Sequence, residues 1–248
     1  MGTATNTNAN NYQVIENLTS TQIEQFSADT RKKSADALFN QATDLIKIAR
    51  FNEATQKLRY ALKFVDNDPK ILNALGETLY EQKKYSESLN FLNKSLEIKS
   101  ENATKMLIGA NYLKLREFNE AIAIFYQVRT ISPKSFEVNY NLGLAYEGLK
   151  NYETAQRHFS DALEITPNDA DTHYRLGLCY HQLGNKEGAI KEYKTLLDLN
   201  PTFAEKLRKT AGLPRIEVTP ISTSRNGIGT GIGSGSGTVY VTPKPIEK

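Results

Sequence analysis

Three histidines, one cysteine and no tryptophan make a short inventory for chemistry. Two of the histidines and the cysteine lie close together, as His173, Cys179 and His181. On a helix, steps of six and two residues carry Cys179 well around the axis from both histidines, and the histidines stand two turns apart. Such a set cannot close on one zinc ion, whose tetrahedral ligands must all come within about 2 Å. Cys179 therefore reads as a small packing residue rather than a reactive thiol. A lone cysteine also excludes an intramolecular disulfide and fits a reducing compartment. The glycine run at 227–237 (GIGTGIGSGSG) invites comparison with a phosphate-binding loop. It holds no G-x-G-x-x-G in register, no Gly-Lys-Ser/Thr, and no following helix to present a positive end to an anion, so it reads as linker. The carboxylates show no paired apolar pocket and serve solubility by default. No enzyme activity, metal or cofactor is expected.

The elements that would position any binding residue are written in a repeat. Leu142-Gly143, Tyr146, Ala155, Phe159, Ala162 and Pro167 are answered 34 positions later by Leu176-Gly177, Tyr180, Ala189, Tyr193, Leu196 and Pro201. One copy earlier the same places hold Ile108-Gly109, Tyr112, Ala121, Phe125, Val128 and Pro133. Small residues at the eighth and twentieth positions mark where two antiparallel helices approach closely. Large apolar residues at the eleventh, seventeenth and twenty-fourth fall on buried helix faces. Proline at the end of a copy cannot continue the preceding helix but can open the next.

This period and punctuation resemble the tetratricopeptide repeat. The resemblance implies an all-α fold, a right-handed solenoid of antiparallel helix pairs with disordered termini. Five copies are assigned, at 35–68, 69–101, 102–135, 136–169 and 170–203, so the repeats occupy 35–203. The first two depart from the pattern, with Asp66 and Ser100 where later copies carry proline. Residues 1–20, rich in Asn and Thr, are expected to be disordered, since Tyr12, Val14, Ile15 and Leu18 bury too little to offset ordering entropy. A helix over 21–34 is expected to begin at a capping box, Thr21-Gln22-Ile23-Glu24, with a break around Ser27 to Asp29. Residues 204–211 form a charged capping helix, and 212–248 a flexible tail rich in Gly, Ser, Thr and Pro. Within that tail, Glu217-Val218-Thr219 and Tyr240-Val241-Thr242 are short β-prone pieces that could pair, add to a partner's sheet, or stay extended.

Charge narrows the class of partner. The net charge is +3, and the repeat block carries 21 basic against 22 acidic residues. A near-neutral array without a basic face argues against nucleic acid. The tail supplies too few basic residues to anchor at a membrane surface. No apolar stretch approaches a membrane span, and the first residues lack the parts of a signal peptide, so a cytoplasmic protein is expected. Asn6 stands where a myristoylation signal wants Ser or Thr. Triplets at Asn17, Asn93 and Asn102 match the glycosylation pattern by chance in an Asn-rich chain.

Solenoids of this kind bind along the face lined by the first helix of each pair. In the resembling family that face is built from the second, fifth, sixth, ninth, twelfth and thirteenth positions. Those places hold Met106, Leu107, Ala110 and Leu113 in the third copy, with Tyr140, Asn141 and Leu144 beside Glu137 and Glu147 in the fourth. The fifth supplies Tyr174, Arg175, Leu178 and His181 beside Asp171 and Gln182. Some members of the family grip a C-terminal carboxylate with Lys, Asn and Arg at set places. Here only Asn141 and Arg175 match, and Asp171 stands where a cation is wanted, so the chain is not expected to hold such a carboxylate. The expected function is a non-enzymatic scaffold binding an apolar or amphipathic peptide of a protein partner, with Asn141 and Arg175 meeting its polar groups. The alternative is a self-assembling scaffold, a homo-oligomer in which a terminal segment of one copy enters the groove of the next.

Overall fold

Aspartate, asparagine and serine decide where several of the helices begin. Asp68 accepts the Lys70 and Ile71 amides and is followed by Pro69, which needs no amide partner in the first turn. Asn200 and Pro201 repeat that arrangement, while Ser135 and Asp169 cap the Val138 and Thr172 amides. The computed structural model describes residues 18–219 and 239–241. Its helices are α1 (Ser20–Glu24), α2 (Ala28–Lys47), α3 (Phe51–Phe64), α4 (Pro69–Glu81), α5 (Tyr85–Ile98), α6 (Asn102–Leu115), α7 (Phe118–Arg129), α8 (Phe136–Gly148), α9 (Tyr152–Ile165), α10 (Ala170–Gln182), α11 (Lys186–Leu199) and α12 (Pro201–Thr210). Two short strands follow, β1 (Glu217–Thr219) and β2 (Val239–Val241), paired antiparallel with Val218 opposite Tyr240. This pairing is one of the arrangements the sequence left open.

The described residues divide at Pro133 and Lys134 into two units. The first contains the pairs α2/α3, α4/α5 and α6/α7, and the second α8/α9 and α10/α11, each pair closely packed. Within each unit the helix pairs stack as an α-solenoid, the arrangement expected from the repeat.

Every pair closes with the same turn. Ala49, Lys83, Arg116, Lys150 and Gly184 lie between first and second helix with φ between 57° and 72°. The next amide then reaches back five residues, Arg50 to the Leu45 carbonyl and likewise Lys84 to Leu79, Glu117 to Tyr112, Asn151 to Tyr146 and Asn185 to Tyr180. These bonds satisfy carbonyls that the helix end would leave bare. Only Gly184 adopts this left-handed conformation without a Cβ penalty; at the other four it costs about 1 kcal/mol each.

Tight helix crossings explain the small residues. A Cβ on Gly143 would stand 2.5 Å from the Phe159 ring, and one on Gly76 2.5 Å from Leu92, so in each case the eighth position receives the side chain of the twenty-fourth. In the fifth pair that place is taken differently. Gly177 is met by Leu207 of α12, 2.4 Å from a would-be Cβ. The twentieth-position residues Ala54, Ser88, Ala121, Ala155 and Ala189 are all buried.

Both ends differ in detail from the sequence reading. The capping box is made by Thr19 with Gln22, two residues earlier than expected, because Thr19 already accepts the Gln22 amide while Gln22 returns the bond. The helix it opens is short, and the break falls at Gln25–Ser27. The helix after it, α2, then runs unbroken through the expected boundary at residue 34. Ile23 of α1 and Leu18 pack on the first unit's core. At the other end α12 starts at Pro201, and packing continues past residue 212. Leu213 and Ile216 are buried with Tyr174, Tyr193, Leu196 and Leu207, and the Leu213 amide and carbonyl are both bonded to Arg208. Residues 1–17 and most of the tail lie outside the described residues.

Candidate binding faces

Each unit offers one face built from first helices. In the first unit, Met106, Leu107, Ala110 and Leu113 lie along α6 and are half-buried. Leu107 packs on the core formed by Leu89, Leu92 and Ile108. Deeper in the same helix, Asn111 is fully buried; its amide donates to the Leu107 carbonyl at 2.8 Å, and its Oδ1 has no partner.

In the second unit, α8 presents Tyr140, Asn141 and Leu144, and α10 presents Tyr174, Arg175, Leu178 and His181. All are half-buried except Tyr174, which is 9% exposed. None of these apolar residues is among the freely exposed hydrophobics, which sit instead at helix ends, as Ile131 and Leu149 do. Leu144 packs on Ala155, Phe159, Leu176 and Cys179, and Leu178 on the core that includes Tyr193 and Leu196. Tyr174 stacks on Phe203 with centroids 5.3 Å apart, and the Lys206 ammonium lies 4.8 Å from its ring centre. His181 stands at the far end of α10, beside a small cavity shared with Gly184, Lys186, Ala211, Gly212 and Leu213.

Between these residues runs a polar cluster. Arg175 donates from Nε to Asp171 at 2.7 Å and to the Tyr140 hydroxyl at 3.0 Å, and from a terminal nitrogen to Glu147 at 2.9 Å. Tyr140 in turn donates to Asp171. Burial pushes the Tyr140 phenol up to about 12, and its bond to Asp171 adds to the rise. Burial alone would lower the Arg175 pKa, but Asp171, Tyr140 and Glu147 outweigh it and the guanidinium is held more firmly protonated than usual. The sequence reading turned Arg175 toward a ligand; its Nε and one terminal nitrogen are committed within the chain. Glu147 and Asp171, noted only as neighbours, are integral members of the face. The spacing of Asp171 and Arg175, four residues along one helix, was the visible sign of their pairing.

The residues first considered for chemistry go three separate ways. Cys179 is 1% exposed, and burial pushes its thiol up to about 12, with the Glu147 charge adding to the rise. His173 turns away from His181 into the α10/α11 contact, where Nδ1 meets Glu192 at 2.5 Å and Nε2 meets the Pro167 carbonyl at 2.8 Å. The preceding copy holds a buried polar pair at the same two places, Asn139 and His158. Among the described residues no group of three or more His, Cys, Asp or Glu is placed to hold a metal ion. Among them too, no helix is long and apolar enough to cross a membrane.

Helix pairs that repeat every 34 residues and present one first-helix face define a protein-interaction solenoid. The sequence matches the tetratricopeptide repeat over residues 70–101 and 134–201. Over those two stretches the chain carries tetratricopeptide repeats. Its fold is shared with solved structures of the same kind. One is MamA, residue 41 to its end, from Desulfovibrio magneticus RS-1, at 21% identity over 68% of this chain and 96% of that one, with a TM-score of 0.65. Another is YrrB, described as a tetratricopeptide protein with an unusual peptide-binding site, at 19% identity over 74% and 100%, with a TM-score of 0.61. No curated protein matches the sequence.

Proposed function

We propose that the protein is a non-enzymatic, cytoplasmic adaptor whose first-helix faces hold an apolar or amphipathic peptide segment of a partner protein. The observation that carries this reading is the recurrence of Tyr140 and Leu144 on α8 as Tyr174 and Leu178 on α10, 34 residues on, with three of the four half-open to solvent. Tyr140, Leu144 and Leu178, packed from below and part-open above, give a firm apolar floor that the buried Tyr174 supports, which is where peptide contacts concentrate their energy. The Arg175 cluster supports the floor by fixing Tyr140 and joining α8 to α10, so the face is organised before a ligand arrives. Asn141 is the polar group left for ligand backbone. Asp171 and Glu147 beside it disfavour a ligand carboxylate.

The test is selection of peptides from a random displayed library on the full-length protein, followed by binding to Asn141→Glu and Leu178→Ser variants checked for helicity by circular dichroism. Enriched apolar or amphipathic peptides that lose at least tenfold affinity on both folded variants support the reading. Peptides indifferent to both variants would falsify it. Sedimentation of the protein alone across a concentration range tests the self-assembling alternative, which requires concentration-dependent oligomers.

A further inference from the structure

His173 is the one histidine with both ring nitrogens on oxygen acceptors that belong to different elements. It is 9% exposed and Glu192 is 3% exposed, so water does little to screen the pair. Nδ1 faces the Glu192 carboxylate of α11 at 2.5 Å, and Nε2 faces the Pro167 carbonyl, in the turn that leads into α10, at 2.8 Å. A carbonyl only accepts, and an ionised carboxylate only accepts, so a neutral ring would set a lone pair against one of them. The imidazolium donates to both.

We propose that the fifth helix pair carries a proton-held latch: the doubly protonated His173 ring fastens α10 to α11 and to the preceding turn, and loss of one ring proton loosens that pair. The neighbouring charges do not supply a substitute. Asp169, in the same turn, adds a second negative charge and caps Thr172. On α9, His158 stacks on Tyr146 of α8 and lies 3.9 Å from Asp161. On α10 itself, Asp171 and Arg175 bond to each other. On α12, Lys206 lies over Tyr174, and Arg208 and Lys209 pair with Glu205. The part of α12 facing Gly177 is the apolar Leu207. Burial by itself would lower the His173 pKa, but the bond to Glu192, the Pro167 carbonyl and the charges of Glu192 and Asp169 raise it above the ordinary value.

The sign follows. The folded ring keeps its proton at a pH where the unfolded ring has lost it, so the latch is complete below the unfolded value of about 6.5 and is lost as pH rises through the higher folded value. Because α10 also carries Asp171, Tyr174, Arg175 and Leu178, loosening it disturbs the proposed peptide face. That coupling to binding rests on the function proposed above; the latch does not.

The experiment is a pH titration of the full-length, isotopically labelled protein by NMR, reading histidine ring nitrogens and backbone hydrogen exchange together. The His173 ring is expected to titrate above about 6.5, with both nitrogens protonated below that point. After correction for base-catalysed exchange, the opening equilibrium of α10 and α11 is expected to rise up to about tenfold per pH unit between the two His173 pKa values and then level off. Helices α4 and α5 should show no such step, and His173→Gln should abolish it. A His173 ring that titrates at or below the ordinary value, or α10 and α11 amides with no step, overturns the proposal. If His173→Gln does not fold, the wild-type ring titration still decides. With a selected peptide added, affinity should fall across the same interval; a step in exchange without a change in affinity keeps the latch and removes its coupling to binding.

Discussion

Helix α6 of the first unit and helix α10 of the second treat their polar groups in different ways. In the first, the Thr104 hydroxyl and the Asn111 carbonyl oxygen are buried on α6 without a hydrogen-bond partner. In the second, His173 is matched to Glu192 and Pro167, and Arg175 to Asp171, Glu147 and Tyr140. Both units are built from the same 34-residue plan, so the plan alone does not set how firmly a pair is held. An unmet buried acceptor costs about 1–3 kcal/mol, whereas a cluster joined across helices ties each helix to the next. Helix α10 is held by polar side chains as well as by packing, whereas α6 relies on packing and carries polar groups that weaken it; elsewhere in the first unit the buried Ser88 and Ser95 hydroxyls do donate to carbonyls of α4.

The largest expected effect tests the packing common to both units. Gly143→Leu should lower stability by up to about 3 kcal/mol, because the new side chain meets the rigid Phe159 ring across α8 and α9. Gly76→Leu meets the more adaptable Leu92 and should cost less. Equal melting temperatures for these two variants, or no loss in either, would break the account of the eighth position as the seat of the twenty-fourth. Next in size is Arg175→Met, which leaves Asp171 and Glu147 facing each other without a cation. Since both carboxylates keep partial access to water, the loss should be about 1–2 kcal/mol. Chemical denaturation followed by ellipticity measures it, and raising the salt concentration should narrow the gap from wild type.

Asn111→Leu probes the opposite side of the comparison. Replacing the unmatched amide by an apolar side chain of similar size should raise stability by about 1 kcal/mol, since the lost bond to Leu107 is local and the orphan oxygen disappears with it. A destabilised variant would show that the amide has a role the geometry does not reveal. The smallest effect is expected at the turns. Lys150→Gly should add about 0.5–1 kcal/mol by relieving a positive φ of 60°, while Gly184→Lys should remove a similar amount. No difference between the two exchanges would put the strain elsewhere.

How much of this was legible in the sequence depends on the distance over which each feature is decided. The small eighth and twentieth residues recur at fixed spacing, and the helix pairs could be read from them directly. The left-handed turns could not, because Ala49, Lys83, Arg116 and Lys150 carry no preference for positive φ and adopt it only because the helices on either side are packed. At the N-terminus Thr19 and Thr21 are both fit to cap, and a two-residue choice between like residues has no signature until the helix is in place. The face was harder. Position numbers located Tyr140 and Arg175 on it, but their bond spans 35 residues of chain, and only the packing of α8 beside α10 reveals that Arg175 is engaged. Leu213 and Ile216, in a stretch that reads as linker, became core once α12 had turned the chain back over Tyr193 and Leu196.

The seat of Leu207 against Gly177 gives the molecule a direction. Helix α12 occupies the ground that the opening helix of a further copy would need, and Leu213 and Ile216 seal it there. Stacking another molecule end-on at this point would require peeling away a helix and two buried anchors. An end-on continuation of the helix pairs past α12 therefore meets a covered surface rather than an open one. The array is finished off by its own chain, as a screw is by its head.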